Sequence, residues 1–226
     1  KIDSKKRNCV KEITLDMANS MKLISKRCFP KATQVTDRFH VQKLALEALQ
    51  EIRIKHRWEA MDFENQLILQ AKRENQTYIP ELLANGDSVK QLLARSRYVL
   101  YKSCEKWTEN QNERAQLLFE LYPDIKTAYY LSQQLRGIYN SNNDKHIAMT
   151  KLAHWYRNVE ESGFKNFNIL LNTITFNYRS ILNYFDNRST NAAAESFNAK
   201  IKAFRSQFRG VRKIDFFLFR LSNLFA

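Results

Sequence analysis

Near the C-terminus, the segment TNAAAESFNAKIK at residues 190–202 sets one acidic residue, Glu195, among amide and basic side chains. Its alanines favour a helix, which Thr190 or Asn191 can cap because their side-chain oxygens accept hydrogen bonds from first-turn N–H groups. Helical spacing produces a polar stripe of Glu195, Asn198, Lys202 and Arg205 beside an apolar stripe of Ala194, Phe197, Ile201, Phe204 and Phe208. We interpret Glu195 as a metal-binding catalytic carboxylate facing a phosphodiester. The alternative is a first-turn glutamate stabilised by the helix dipole on a solvated face.

Two further carboxylates follow predicted strands near the N-terminus. Residues 10–15 form a partly alternating, β-branched run that ends at Asp16, and residues 32–36 form a second run that ends at Asp37. A helix is predicted after each strand, so the two strands should pair in parallel through a right-handed crossover. Sites in open sheets of this kind form at the carboxyl ends of strands. An aspartate at a strand end is equally typical of a helix cap.

The rest of the chain reads as helices. Only four Gly and three Pro interrupt 226 residues, well below average usage. The helix after Asp37 should continue to near Arg73, and no strand is expected between residue 47 and about residue 187. Further helices are predicted at 88–106, 109–122, 124–139, 144–161 and 164–184. Their apolar stripes, together with Trp58 and Trp107, are assigned to the core.

The charge balance indicates a polyanionic partner. Lys and Arg number 37 against 23 acidic residues, a net charge of +14, which is typical of nucleic-acid binding but also fits a ribosomal or anionic-membrane partner. Three widely spaced cysteines argue against a disulfide framework and fit a reducing cytoplasm. No apolar run of 18 residues and no signal peptide are present. A start at Lys1 without Met suggests a fragment of a longer protein.

Four segments together resemble the DDE transposases of bacterial insertion sequences, most closely the ISL-three family. They are LDM at 15–17, FPKA at 29–32, DRFHV at 37–41 and the segment at 190–202. Each motif alone is weak, but the pairing of DxFH with NxxxExxN is fairly specific. Similarity over the middle of the chain extends the resemblance across nearly the whole sequence.

The resemblance implies an α/β, predominantly helical fold, with a partial ribonuclease-H-like core and a large all-α insertion before the catalytic glutamate. Residues 1–46 and 188–226 would form the core, and residues 47–187 the insertion. The family's second catalytic aspartate maps onto Asp16 and its glutamate onto Glu195. Asp37 and His40 match a motif beside the site and are expected to support it, as is Asn198. Strand order in such a core favours Asp16 over Asp37 as the metal ligand, since Asp37 lies one strand spacing further away.

The implied activity is transposition, that is, Mg²⁺-dependent (or Mn²⁺-dependent) DNA strand cleavage followed by strand transfer. The expected partner is double-stranded DNA, at the transposon ends and at the target. The full-length protein is expected to form a homo-oligomer and to be located in the bacterial cytoplasm, associated with the nucleoid. The proposed phosphate contacts are Lys200, Lys202, Arg205, Arg209 and Arg212, although a solvated basic face would have the same composition. His56, His146 and His154 are assigned to surface or core.

One feature departs from the family pattern. The family's first catalytic aspartate lies well upstream of the second, and Asp3 is too close to Asp16 to be it. The sequence is then expected to be a fragment, inactive alone, or the remnant of an inactivated transposase. The competing class is a non-enzymatic, basic, helical nucleic-acid-binding protein, in which Asp16 and Glu195 only cap helices. The transposase interpretation requires Asp16 and Glu195 to lie close together in the fold, whereas the non-enzymatic interpretation does not.

Overall fold

The computed structural model describes residues 3–141, 144–207 and 213–225, apart from the side chains of Ala193 and Phe225. Within these residues two short strands, β1 (Glu12–Leu15) and β2 (Thr33–Thr36), form a parallel pair with Glu12 opposite Thr33 and Leu15 opposite Thr36. The predicted strands, their parallel pairing and the helix between them are confirmed. The chain is α/β and predominantly helical.

Ten α-helices cover most of the described chain. They are α1 (Ser4–Asn8), α2 (Asn19–Cys28), α3 (Arg38–Arg73), α4 (Val89–Tyr101), α5 (Glu109–Leu121), α6 (Pro123–Asn140), α7 (Lys145–Ser162), α8 (Asn168–Asn187), α9 (Ala192–Ser206) and α10 (Ile214–Phe225). The helix predicted over 88–106 is shorter, because the chain leaves α4 at Lys102 and makes a separate 3-10 turn at Cys104–Lys106. A second such turn, Lys165–Phe167, precedes α8.

The long helix α3 organises the core. It packs against α4, α6 and α8, and α8 also lies against β2. All the buried residues of α3 fall between Val41 and Arg53, so the C-terminal half of the helix extends beyond the core. The assignment of Trp58 to the core is therefore wrong, since its side chain is 59% exposed. Trp107 does pack against the core, and its indole N–H donates to the carbonyl of Val99 at 2.9 Å.

Large aromatic side chains fill the centre of the helical layer. Trp155 is buried between α6 and α7 and donates from Nε1 to the Leu131 carbonyl at 2.7 Å. Tyr139 stacks on Phe185 with ring centroids 5.3 Å apart, which fixes the end of α6 against α8. None of the described helices has the length and hydropathy needed to span a membrane.

The ribonuclease-H-like topology remains a prediction, because β1 and β2 are the only strands within the described residues. The division into core and insertion also remains a prediction. The expected boundary between residues 46 and 47 falls inside α3, so two such units would share this helix. What the fold establishes is the parallel strand pair and the helices that surround it.

Candidate active site

Asp16 follows β1 directly and is half-buried. Its Oδ1 accepts a hydrogen bond from the backbone N–H of Ala18 at 3.0 Å. Ala18 is the residue that precedes α2, so this bond holds the turn between strand and helix. The other carboxylate oxygen, Oδ2, receives no hydrogen bond from the described residues, and it is thus left to bind a ligand.

Asp37 follows β2 and is buried, with 2% of its surface exposed. Its Oδ1 accepts from the N–H of Phe39 at 2.9 Å, which caps α3, and its Oδ2 accepts from the N–H of Asn191 at 2.8 Å. The backbone N–H of Asp37 itself donates to the carbonyl of Leu15 at 2.9 Å, extending the parallel ladder by one bond. A single residue therefore joins the ends of both strands, the start of α3 and the start of α9.

Glu195 lies in the first turn of α9, and its N–H donates to the carbonyl of Asn191 at 2.9 Å. Asn191 occupies the N-cap position without a side-chain bond to the helix, so the predicted cap by Thr190 or Asn191 is wrong. The reason is local geometry: Asn191 has φ −85° and ψ 12°, whereas capping side chains act from an extended backbone. Asp37 binds the N–H of Asn191 instead. The carboxylate of Glu195 is exposed.

These bonds bring the start of α9 to the end of the sheet where Asp16 lies. Asp16 comes immediately after Leu15, whose carbonyl accepts from Asp37, and Asp37 in turn accepts from Asn191, four residues (about 6 Å of helical rise) before Glu195. Two hydrogen bonds that meet at Asp37 thus connect the end of β1 with the first turn of α9.

The remaining predicted residues that the structure describes lie on α3 and α9. His40 is half-buried in the first turn of α3, where its ring packs edge-on against Phe39 at 5.6 Å. Asn198, Lys202 and Arg205 are exposed on α9, one after another along the stripe that begins at Glu195, and Lys200 is exposed on the same helix. Arg209 and Arg212 lie outside the described residues.

Sequence reasoning missed a polar clamp just before α9. Arg188 has a left-handed backbone with φ 54°, and its guanidinium donates to the carbonyls of Tyr139 at 3.2 Å and Ser141 at 2.5 Å. Asn187 donates from Nδ2 to Glu12 Oε2 at 2.9 Å. The sequence shows a polar turn here but gives no sign of its partners. The clamp anchors the chain to β1 and to the end of α6 just before it enters α9.

A tyrosine behind Asp37 stays neutral. Burial, and then the neighbouring Tyr184 and Asp37, raise the pKa of Tyr139 well above its ordinary value. Its hydroxyl finds no hydrogen-bond partner within the described residues. Tyr139 therefore supports the site by packing and supplies no negative ligand.

The donor set at this edge consists of carboxylate oxygens, which Mg²⁺ and Mn²⁺ prefer. In the part of the chain that the structure describes, no group of three or more His, Cys, Asp or Glu side chains could hold a metal ion together. Asp16, half-buried, and Glu195, exposed, are accessible carboxylates of the type that a hard divalent cation prefers. Asp37 is less accessible to an ion, because it is 2% exposed and each of its oxygens already accepts a backbone N–H.

The chain was compared with known proteins. A family model described as a transposase, that of the ISL-three group of DDE enzymes, matches residues 1–221. No curated protein and no solved structure matched. The family match spans β1, β2, the helical region and α9, and so includes every element that builds this edge of the sheet.

Proposed function

This chain belongs to the ISL-three family of DDE transposases, and we propose that Asp16 and Glu195 are two of the carboxylates that catalyse DNA strand cleavage and strand transfer. The observation that carries the proposal is the double role of Asp37. By accepting the N–H of Asn191 while pairing with Leu15, it draws the first turn of α9 to the carboxyl end of β1. Sites in sheets of this type form at such strand ends.

A divalent cation, Mg²⁺ or Mn²⁺, bound by these carboxylates would supply charge neutralisation at the phosphodiester and activation of the attacking hydroxyl. Asp16 would hold it through Oδ2, because Oδ1 is already bonded to Ala18. Glu195 would be the second carboxylate to hold it, from α9, and Asn198, about one helical turn further along, would orient that carboxylate. Asp37 and His40 support the site from α3 and contribute no ligand.

The basic residues of α9 would hold the DNA. Lys202 and Arg205 continue the stripe that starts at Glu195, so a duplex whose scissile phosphate lies at Glu195 would place its neighbouring phosphates along that stripe. Lys200 extends the same positive surface. Arg209 and Arg212 are proposed as further contacts from sequence alone. The fold around the site would be ribonuclease-H-like, with residues 47–187 as a helical insertion and a homo-oligomer as the working form on paired DNA ends.

The test is affinity cleavage of the protein backbone by Fe²⁺ with ascorbate and peroxide. Hydroxyl radicals form where Fe²⁺ occupies a carboxylate site, and they cut the polypeptide within reach of the metal. We expect cuts near residue 16 and near residue 195 in the same preparation, suppressed by excess Mg²⁺. Asp16→Asn and Glu195→Gln should each remove both cuts, because the two carboxylates share one ion.

The matched control is Asp62→Asn, which removes an exposed carboxylate on the far half of α3 and should leave both cuts unchanged. Cuts near residue 16 that persist in Glu195→Gln would show that the two residues do not share a metal. Absence of cutting at both places would assign the chain to the competing class, a nucleic-acid-binding protein without a catalytic centre.

A further inference from the structure

Three arginines converge on the seam between α3 and α4, away from the candidate active site. Arg53 and Arg57 lie four residues apart on α3, so their side chains share one face of the helix. Arg97 comes from α4. Arg53 is buried with 3% exposure, while Arg57 and Arg97 are exposed. We refer to Arg53, Arg57 and Arg97 as the arginine cluster.

Neutral oxygens fix the buried member rigidly. Arg53 donates from Nε to Gln50 Oε1 at 2.7 Å and from Nη1 to the carbonyl of Leu93 at 2.8 Å. Gln50 donates from Nε2 to the carbonyl of Arg97 at 3.2 Å, so the same amide links Arg53 to the backbone of the third arginine. This network, held by two helices, fixes the guanidinium of Arg53 and the backbone at Arg97, and so sets where the three positive charges meet.

The cluster has no acidic counterpart. Within the described residues no member forms an ion pair with a carboxylate, and no Asp or Glu stands three or four positions from any member. Burial, followed by the charges of Arg57 and Arg97, lowers the pKa of Arg53 from its ordinary value. Like charges four residues apart, such as Arg53 and Arg57, destabilise a helix. No carboxylate in the cluster offsets this repulsion.

A neighbouring arginine on α4 shows the contrast. Arg95 pairs with Asp87, a carboxylate with 1% exposure that also binds Arg114 at 3.0 Å. Arg95 thus has a carboxylate partner that links it to the rest of the fold. Arg97, two residues further on, has no carboxylate partner among the described residues, and its guanidinium lies over the exposed ring of Tyr98, 5.5 Å from the ring centroid. A group of cations without carboxylate partners, beside an exposed aromatic ring, suits an external polyanion.

We infer that the arginine cluster is a second DNA-binding site, which contacts backbone phosphates of duplex DNA through Arg57 and Arg97 with Arg53 as their fixed base. This inference rests on the proposed function, because it takes DNA as the ligand. It adds a contact surface on α3 and α4, separate from the basic stripe of α9. Phosphate contacts of this type carry no base specificity, so the site would bind duplex DNA of any base sequence.

The experiment measures binding of the whole chain to a fluorescently labelled 30-base-pair duplex across a series of salt concentrations. Each lost phosphate contact should reduce the slope of log affinity against log salt by roughly 0.9. We expect that reduction for Arg57→Ala and for Arg97→Ala, about twice as much for the double variant, and retention of the slope in Arg57→Lys. Both side chains are exposed, and their removal relieves like-charge repulsion, so the melting temperature should stay the same or rise.

Arg157→Ala is the matched control, because Arg157 is an exposed helical arginine already paired with Glu161 at 2.7 Å. It removes the same charge and should keep the wild-type slope. Unchanged slopes in Arg57→Ala and Arg97→Ala, with a reduced slope in Lys202→Ala, would overturn the second site and leave the proposed function standing. Failure of the wild-type chain to bind the duplex would overturn both.

Inorganic phosphate serves as the second probe, with melting compared in phosphate and in chloride at equal ionic strength. A free phosphate site would give a melting shift that Arg57→Ala and Arg97→Ala abolish while duplex slopes stay constant. That result would assign the cluster to a small anion and overturn the DNA contact. A slope change without a phosphate-specific melting shift is the result expected for a site that reads the DNA backbone.

Discussion

Replacing Asp37 by Ala should loosen α9 selectively. The change removes the cap of α3, which costs about 1 kcal/mol, and leaves the N–H of Asn191 without an acceptor, which costs about 1–3 kcal/mol for a buried donor. Since the carboxylate is 2% exposed and water cannot simply replace it, we expect a loss of about 2–4 kcal/mol in the free energy of unfolding, measured by urea denaturation. The part of this loss that falls on α9, about 1–3 kcal/mol, predicts roughly 5- to 150-fold faster hydrogen exchange at residues 191–198.

Asp144→Ala provides the comparison. Asp144 caps α7 through one hydrogen bond to the N–H of Ile147 at 2.9 Å and is exposed, so its removal should cost only about 1 kcal/mol. Exchange in α9 should not change in this variant. If Asp37→Ala and Asp144→Ala destabilise equally, and α9 exchanges at the wild-type rate in both, the argument that Asp37 positions Glu195 is refuted. Iron-dependent cutting near residue 195 should also weaken in Asp37→Ala although Glu195 is intact.

Three more predictions concern charge, a buried indole and the basic stripe. Burial opposes ionisation of Asp87, but hydrogen bonds and charge from its two arginine partners outweigh it and hold its pKa below the ordinary value; its stabilisation is therefore present above the unfolded pKa of about 3.9 and is lost as pH falls through the lower folded pKa. Asp87→Asn should cost about 2–3 kcal/mol at pH 7, and urea denaturation should show the difference from wild type shrinking below pH 4. Trp155→Phe removes the buried indole N–H that donates to the carbonyl of Leu131, while that carbonyl keeps its helical bond within α6, so the lost hydrogen bond should lower the urea midpoint by an amount equivalent to about 0.5–1.5 kcal/mol. Lys202→Ala and Arg205→Ala should each flatten the salt dependence of duplex binding by roughly 0.9 in slope while leaving iron-dependent cutting in place, and an unchanged slope would remove that residue from the DNA interface.

The local features of the fold could be predicted because their causes are local. A β-branched run followed by aspartate marks both strands, and apolar periodicity carries α3 to Arg73, where the structure ends it. Trp58 shows the limit of this reasoning. Its large apolar side chain suggests the core, but burial depends on whether another element covers that part of α3, and the partners of α3 bury it only as far as Arg53. The sequence of α3 itself does not show how far along the helix the neighbouring elements extend, and so does not show which of its residues they bury.

The candidate site was predictable in part. Residue types and the family resemblance identify Asp16 and Glu195, whereas the contact that relates them joins positions 154 apart, Asp37 and Asn191. It depends on a backbone N–H, which every residue except proline has, and so leaves no trace in the amino-acid pattern. The clamp at Arg188 is hidden for the same reason, since its acceptors are main-chain carbonyls.

Local sequence pattern alone treats the two strand-end aspartates alike, and the structure gives them different surroundings. Asp37 is 2% exposed, and each of its carboxylate oxygens accepts a backbone N–H, so its position is fixed and it serves as a structural joint. Asp16 is only half-buried and accepts one backbone N–H, that of Ala18. Both carboxylates retain lone pairs, because each oxygen can accept more than one bond, but an ion from solvent reaches Asp16 more easily than the buried Asp37. Burial and backbone bonding therefore favour Asp37 as the joint and Asp16 as the proposed ligand.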